Sequence, residues 1–187
     1  DAPQPRERDI VLVVDDSPDT LRMLTDAIEQ SGATVLVALE GAQALEIAGY
    51  ITPDVILMDA VMPGMDGFET TRQLKANPSL SHVPVIFMTG LAETEHVVRG
   101  FEAGGVDYVT KPLVPQELLA RVRVHLANAR ATTSARAALD TAGRFLLAVD
   151  RAGQLLWGTP QARRQLDEAF PGGDGAARLT AALRNGT

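Results

Sequence analysis

The sequence predicts an α/β fold built on a doubly wound parallel sheet. Three observations carry this. Short apolar runs recur, as Ile10 to Val14, Val55 to Met58 and Val83 to Met88. They lack polar alternation and suit strands buried on both faces. Stretches with apolar residues at helical spacing lie between them, and strands alternating with helices imply parallel pairing. Each run also ends in residues that can do chemistry: Asp15-Asp16, Asp59, and Thr89-Gly90.

The elements follow in order. Residues 1–8 carry two prolines and alternating charges, and read as a disordered lead-in. After the first strand, Ser17-Pro18 fits an N-cap followed by proline at the first helical position. Leu21, Leu24, Ala27 and Ile28 form one stripe, and Gly32 ends that helix. Thr34 to Leu39 is the second strand. Glu40-Gly41 opens a helix with Ala44, Leu45 and Ala48 on one side, and Pro53 stops it. Residues 66–76 form the next helix, broken by Asn77-Pro78. Residues 93–103 form another, ended by Gly104-Gly105. Val106 to Val109 is a strand leading to Thr110-Lys111-Pro112. From Pro115 a helix carries Leu118, Val122 and Leu126. No Gly or Pro interrupts Ala127 to Leu139, so propensity favours one long helix. His82, His96 and His125 have no ligand partners at helical or loop spacing, and are expected at the surface.

Composition narrows the function. The chain has 187 residues, 45% of them hydrophobic, so one full domain and part of another are expected. Net charge is −7, which disfavours direct binding to nucleic acid or an anionic membrane. There is no cysteine, hence no disulfide framework or thiolate metal site. No apolar run is long enough to span a bilayer. The first residue is Asp and no signal peptide is visible. A trimmed or engineered piece of a cytoplasmic protein is expected.

Parallel strands deliver their carboxyl ends to one edge, where open α/β sheets bind ligands. Asp59 alone could be a turn cap. Together, three carboxylates, a hydroxyl and an ammonium converge. Crowded carboxylates repel and raise one another's pKa. A hard divalent cation with oxygen ligands relieves this, and one carboxylate beside a cation, Lys and Thr suits an aspartyl-phosphate.

These residues resemble the receiver domain of two-component response regulators, over residues 9–128 and into the helix beyond. The resemblance implies a flavodoxin-like five-stranded sheet of order 2-1-3-4-5. It implies Mg²⁺ (or Mn²⁺) held by Asp15, Asp16, Asp59 and the Val61 backbone carbonyl, with Asp15 acting mainly through water. Asp59 would be the phosphoacceptor, Lys111 and Thr89 the phosphoryl contacts, and Thr89 with Tyr108 the switch pair. Gly90 would leave room for the donor. Lys111-Pro112 would be a cis bond. Val61 and Leu91 would flank the path of the hydrolytic water and slow dephosphorylation. The partner would be a histidine kinase or phosphotransfer protein. The domain would assist its own phosphotransfer without being a free-standing enzyme.

Beyond residue 128, residues 129–142 read as a helical linker. Arg144 to Val149 and Gln154 to Trp157 read as a hairpin around an Asp-x-x-Gly turn, followed by a helix from Thr159-Pro160. Part of the extension of residues 143–187 thus resembles the opening of a PAS-type sensor domain. The alternative is a small hairpin and helices with Trp157 in their core. A homodimer through the last receiver helix is expected. The expected output is transcription control by a LuxR-type DNA-binding domain outside these residues. A hybrid-kinase phosphorelay receiver or a regulator of a cyclic-dinucleotide enzyme are the alternatives.

Overall fold

The computed structural model describes residues 8–90, 94–150, 155–171, 175, 178 and 181. The chain divides into two compact units, residues 1–129 and 130–187. The first contains β1 (Ile10–Val14), α1 (Pro18–Gln30), β2 (Thr34–Ala38), α2 (Gly41–Tyr50) and β3 (Val55–Asp59). It continues through α3 (Gly67–Ala76), β4 (Val85–Thr89), α4 (Thr94–Ala103) and β5 (Asp107–Thr110) to α5 (Pro115–Thr141), whose last residues are counted with the second unit.

All five strands pair in parallel, in the order β2-β1-β3-β4-β5. This is the flavodoxin-like order that the resemblance implies. Strand side chains alternate between faces. Leu12, Val14, Ile56, Met58, Val85 and Phe87 pack with α2 and α3 residues such as Ala44, Phe68 and Leu74. Val11, Val13, Val55, Leu57, Ile86 and Met88 pack with Leu21, Leu24 and Ile28 of α1 and Leu118, Val122 and Leu126 of α5. Both faces are covered at the central strands β1, β3 and β4, so these carry no polar alternation. Burying one such Leu or Ile stabilises the fold by about 1.5–3 kcal/mol.

Local chemistry sets the element ends. Ser17 accepts a hydrogen bond from the Thr20 N–H, and Pro18 starts α1. Gly32 follows α1 at φ 93°, a conformation glycine adopts without Cβ strain. Asp66 caps α3 by accepting from the Glu69 N–H at 2.8 Å. Lys75 donates from Nζ to the carbonyls of Ser81 and Val83, pinning the α3–β4 connection. The Lys111-Pro112 bond is cis.

The second unit contains β6 (Leu147–Val149), β7 (Leu155–Gly158) and α6 (Pro160–Ala169). The strands pair antiparallel, placing Ala148 opposite Trp157. Thr159 is buried and exchanges two hydrogen bonds with Leu146, one through its hydroxyl. Asp140 Oδ2 accepts from the Gln161 N–H and so caps α6 from α5. The Arg136 guanidinium lies 5.2 Å from the Trp157 ring centroid. The expected hairpin-plus-helix arrangement is present here. Its turn residues Arg151 to Gln154 lie outside the described residues. No described helix is long and apolar enough to cross a membrane.

Gly67 and Gly49 make opposed mutational tests. A Cβ at Gly67 would meet the Asp59 carbonyl oxygen at 2.0 Å, a backbone atom that cannot swing away. Gly49 lies in α2 with nothing within 4 Å of such a Cβ. Gly67→Ala is expected to destabilise by about 3 kcal/mol or more, at the upper end of overpacking costs. Gly49→Ala is expected to stabilise by up to about 1 kcal/mol through helix propensity. Urea denaturation of both variants reads this; equal effects would show that the Gly67 contact does not constrain the fold.

Candidate functional site

Register builds the site. Val14 pairs with Met58, so the chain leaves β1 at Asp15 beside Asp59, the last residue of β3. Thr89 ends β4 opposite Thr110, and Lys111 follows directly. The carboxyl edge of the sheet therefore gathers Asp15, Asp16, Asp59, Thr89 and Lys111, as expected, with Tyr108 two residues before the end of β5.

Side-chain geometry is specific. Asp15 is fully buried, Asp59 is 4% exposed, and Asp16 faces solvent. Carboxylate oxygens of the three lie within 4.8 Å of one another. Lys111 Nζ stands 2.9 Å from Asp15 Oδ2 and 3.3 Å from Asp59 Oδ2. The Ser17 N–H donates to Asp15 Oδ1 at 2.8 Å. The Val61 N–H donates to Asp59 Oδ1 at 3.3 Å. Lys111 also donates its backbone N–H to the Thr89 carbonyl at 2.7 Å, tying the ends of β4 and β5 together.

The electrostatics follow from this crowding. Burial, then the Asp15 charge, pushes the Asp59 carboxyl from 3.8 up to about 6, against the pull of Lys111 and the Val61 N–H. Burial opposes the charge on Lys111, but Asp15 and Asp59 outweigh it and hold its ammonium above the ordinary range. Three carboxylates and one ammonium leave a net negative, oxygen-lined site with two buried members and one open to solvent. That donor set is compatible with a hard divalent cation.

A pocket lies behind Thr89. Phe68, Phe87, His96, Gly100, Phe101 and Tyr108 line it with Thr89. Tyr108 is 37% exposed and meets Phe101 edge-on at 6.4 Å between centroids. His96, expected at the surface, is half-buried with its ring 6.3 Å from that of Phe68. Val61 is 55% exposed beside Asp59. Leu91 lies outside the described residues.

Sequence reasoning missed one cluster. Asp107 accepts two hydrogen bonds from Arg121 Nη1, each at 3.0 Å, and its Oδ2 lies 3.0 Å from His125 Nε2. Its Oδ1 also accepts from the Tyr108 N–H at 2.8 Å. Burial works against the charge, but His125, the Tyr108 N–H and Arg121 together hold Asp107 below the usual carboxylate range. The surface reading of His125 is corrected by this partner. The spacing of α5 held one usable signal, since Glu117, Arg121 and His125 recur every fourth residue on one helix face.

An α/β receiver-type site is thus defined by fold and chemistry. A family model for the response regulator receiver domain matches residues 11–123. The chain belongs to that family. A "Probable cyclic di-GMP phosphodiesterase" of Vibrio cholerae is 43% identical over 120 residues, which is 64% of this chain and 27% of that protein. "DNA-binding response regulator MtrA" of Mycolicibacterium smegmatis is 42% identical over 119 residues, covering 64% and 51%. A putative response regulator from Chloroflexus aurantiacus has a crystal structure that superposes at TM-score 0.63. It shows 32% identity and covers 65% of this chain and 99% of that one. The matched stretch therefore spans only a quarter to a half of these two curated relatives. The family match ends before the hairpin and α6, and lends the PAS-type resemblance no support.

Asp59→Asn tests the crowding. The folded state holds the Asp59 proton more tightly than the unfolded chain. That stabilisation is complete below pH 3.8 and is lost as pH rises through about 6. At pH 8 in chelator, Asn is therefore expected to stabilise the fold by roughly 2–3 kcal/mol, at about 1.4 kcal/mol per pKa unit. The gain should shrink towards pH 4. Mg²⁺ should raise the wild-type melting temperature and leave Asp59→Asn much less changed. Thermal melts at both pH values decide; a destabilised Asn variant at pH 8 would contradict the crowding.

Proposed function

We propose that this chain is the phosphoryl-accepting switch of a two-component pathway. The observation that carries the reading is the convergence of Asp15, Asp16 and Asp59 with Lys111 on one sheet edge. Membership of the receiver family supports it.

An ionised Asp59 oxygen attacks the phosphorus of a phosphohistidine on a kinase or phosphotransfer protein. The P–O bond forms, the P–N bond breaks, and its electron pair leaves with the imidazole. Asp15, Asp16, Asp59 and the Val61 carbonyl would hold a divalent cation, Mg²⁺ or Mn²⁺, which when bound offsets the charge on the phosphoryl oxygens. Lys111 is already poised between Asp15 and Asp59 and contacts one phosphoryl oxygen. Thr89 donates its hydroxyl to another. As Thr89 moves, Tyr108 turns into the pocket beside it, a two-state element biased by local charge. The domain assists its own phosphotransfer and dephosphorylation without being a free-standing enzyme.

The outcome on phosphorylation is expected to be specific and lasting. With a small-molecule phosphodonor and Mg²⁺, intact mass should rise by one phosphoryl group in the wild type and not in Asp59→Asn. Val61 presents an exposed apolar side chain beside Asp59, which cannot align a hydrolytic water through a hydrogen bond. Orientation governs several kcal/mol of a barrier. Loss of phosphate should take many minutes, and Val61→Asn should speed it. Labelling of the Asp59→Asn variant, or loss within seconds in the wild type, would overturn these roles.

Transcription control is the output we favour, by analogy with the DNA-binding relative, with DNA recognition outside these residues. Control of a cyclic-dinucleotide enzyme is the second reading, which the Vibrio relative supports. The exposed Val98, Phe101, Val106, Tyr108 and Val124 support pairing with a second copy through α4, β5 and α5. Light scattering should report a dimer when beryllofluoride mimics the phosphate; a monomer at high concentration would exclude this pairing.

A further inference from the structure

β2 is an edge strand of the five-stranded sheet and, among the described residues, pairs with β1 alone. Edge strands are commonly blunted by charges, prolines or bulges, because their open backbone groups invite another chain. This edge carries none of those devices. Thr34-Val35-Leu36-Val37-Ala38-Leu39 holds no charged residue, Pro or Gly. The β2 register with β1 runs unbroken from Thr34 to Ala38. Val37 is 43% exposed and Leu39 49%.

Hydrogen bonding shows which groups the edge offers. Within a strand, the N–H and C=O of one residue point to one neighbour, and those of the next residue to the other. The Thr34 N–H donates to the Asp9 carbonyl, and the Ala38 carbonyl accepts from the Asp15 N–H. Thr34, Leu36 and Ala38 therefore turn their backbone groups toward β1. Val35, Val37 and Leu39 turn theirs outward. Gln43 Oε1 already accepts from the Leu39 N–H at 2.8 Å and closes that end of the edge. Below it, Val35 and Val37 present two donors and two acceptors to an added strand.

Charge decides what kind of strand fits. Residues 9–54 contain nine Asp and Glu but a single basic residue, Arg22. Val35 packs on the side of α1, which exposes Asp26 and Glu29. Leu36 packs on the side of α2, which exposes Glu46, and the exposed Glu40 follows the strand. A second copy paired here would bring acid against acid. A cationic segment meets opposite charge instead.

We propose that the β2 edge is a docking site for an extended cationic polypeptide segment, which adds to the sheet as a sixth strand. Backbone bonds to Val35 and Val37 give the pairing, and alternate side chains give the choice of partner. Apolar side chains of the segment lie beside Val37 and Leu39. Basic ones lie on the other face, where α2 carries Glu46. β5 forms the opposite edge of the sheet, and the docking site does not depend on whether Asp59 accepts a phosphoryl group.

The probe is a short fluorescent peptide of alternating Arg and Val, titrated with the full chain. Saturable binding is expected, weakening about five-fold or more from low salt to about 0.3 M NaCl. Amide exchange at Val35 and Val37 should slow in the complex. The same peptide methylated on every backbone nitrogen keeps its charge but cannot donate, and should bind about ten-fold more weakly or not at all. Val37→Pro removes an outward N–H at a position that edge strands tolerate, and should weaken binding several-fold. Val37→Lys places a repelling charge on the edge and should do the same, which keeps the test open if the proline variant does not fold. Equal binding of the methylated peptide, or unchanged exchange at Val35 and Val37, would reduce the effect to charge attraction and overturn the docking site. Absence of binding would overturn it too. A dimer in light scattering that Val37→Lys dissolves would give the edge to a second copy and overturn the cationic partner.

Discussion

The structure depends on a contradiction held in place at one sheet edge. Two carboxylates are buried side by side, and a third stands at the opening. One ammonium, that of Lys111, lies between the buried pair. An apolar core would reject such a group. It persists because the central strands beneath are buried on both faces and will not shift to relieve it. The same crowding that weakens the fold makes the site a place where a cation or a phosphoryl group is welcome. Stability and reactivity are opposed at Asp59, as expected where a protein breaks a local rule for the sake of function.

The neighbouring elements stop these charges from moving apart. Ser17 fixes Asp15 from the start of α1 while also capping that helix through its hydroxyl. Asp66 caps α3, and Gly67 lets that helix begin against the Asp59 backbone. The cis Lys111-Pro112 bond follows the lysine that bridges the carboxylates. Helix starts, turn residues and site residues are thus the same few positions used twice.

Much of this was legible in the sequence, for a physical reason. A strand buried on both faces must be continuously apolar, so its end is marked by the first charged residue. In a parallel sheet all such ends share one edge, so Asp15, Asp59, Thr89 and Lys111 could be placed together without coordinates. The hairpin and α6 were also readable from turn residues and from Pro160. What escaped was tertiary and polar. The partners Asp107 and His125 lie on different elements, and no periodicity relates a strand residue to a helix residue. The burial of His96 depends on which side of α4 meets Phe68, and a short helix with mixed polarity leaves that side open. Lys75 looked like an ordinary helix residue, yet its stem runs beside Gly104 and its ammonium closes the carbonyls of the following loop.

The contact between Gly67 and Asp59 has a mechanical consequence. There is no clearance between the first residue of α3 and the main chain of Asp59, only the room left by a missing side chain. The two backbones meet with no side chain between them, so neither can come closer to the other without a clash. A displacement of the start of α3 toward the sheet would therefore press directly on the Asp59 main chain. A surface helix is thereby turned into a lever whose short arm ends at the site.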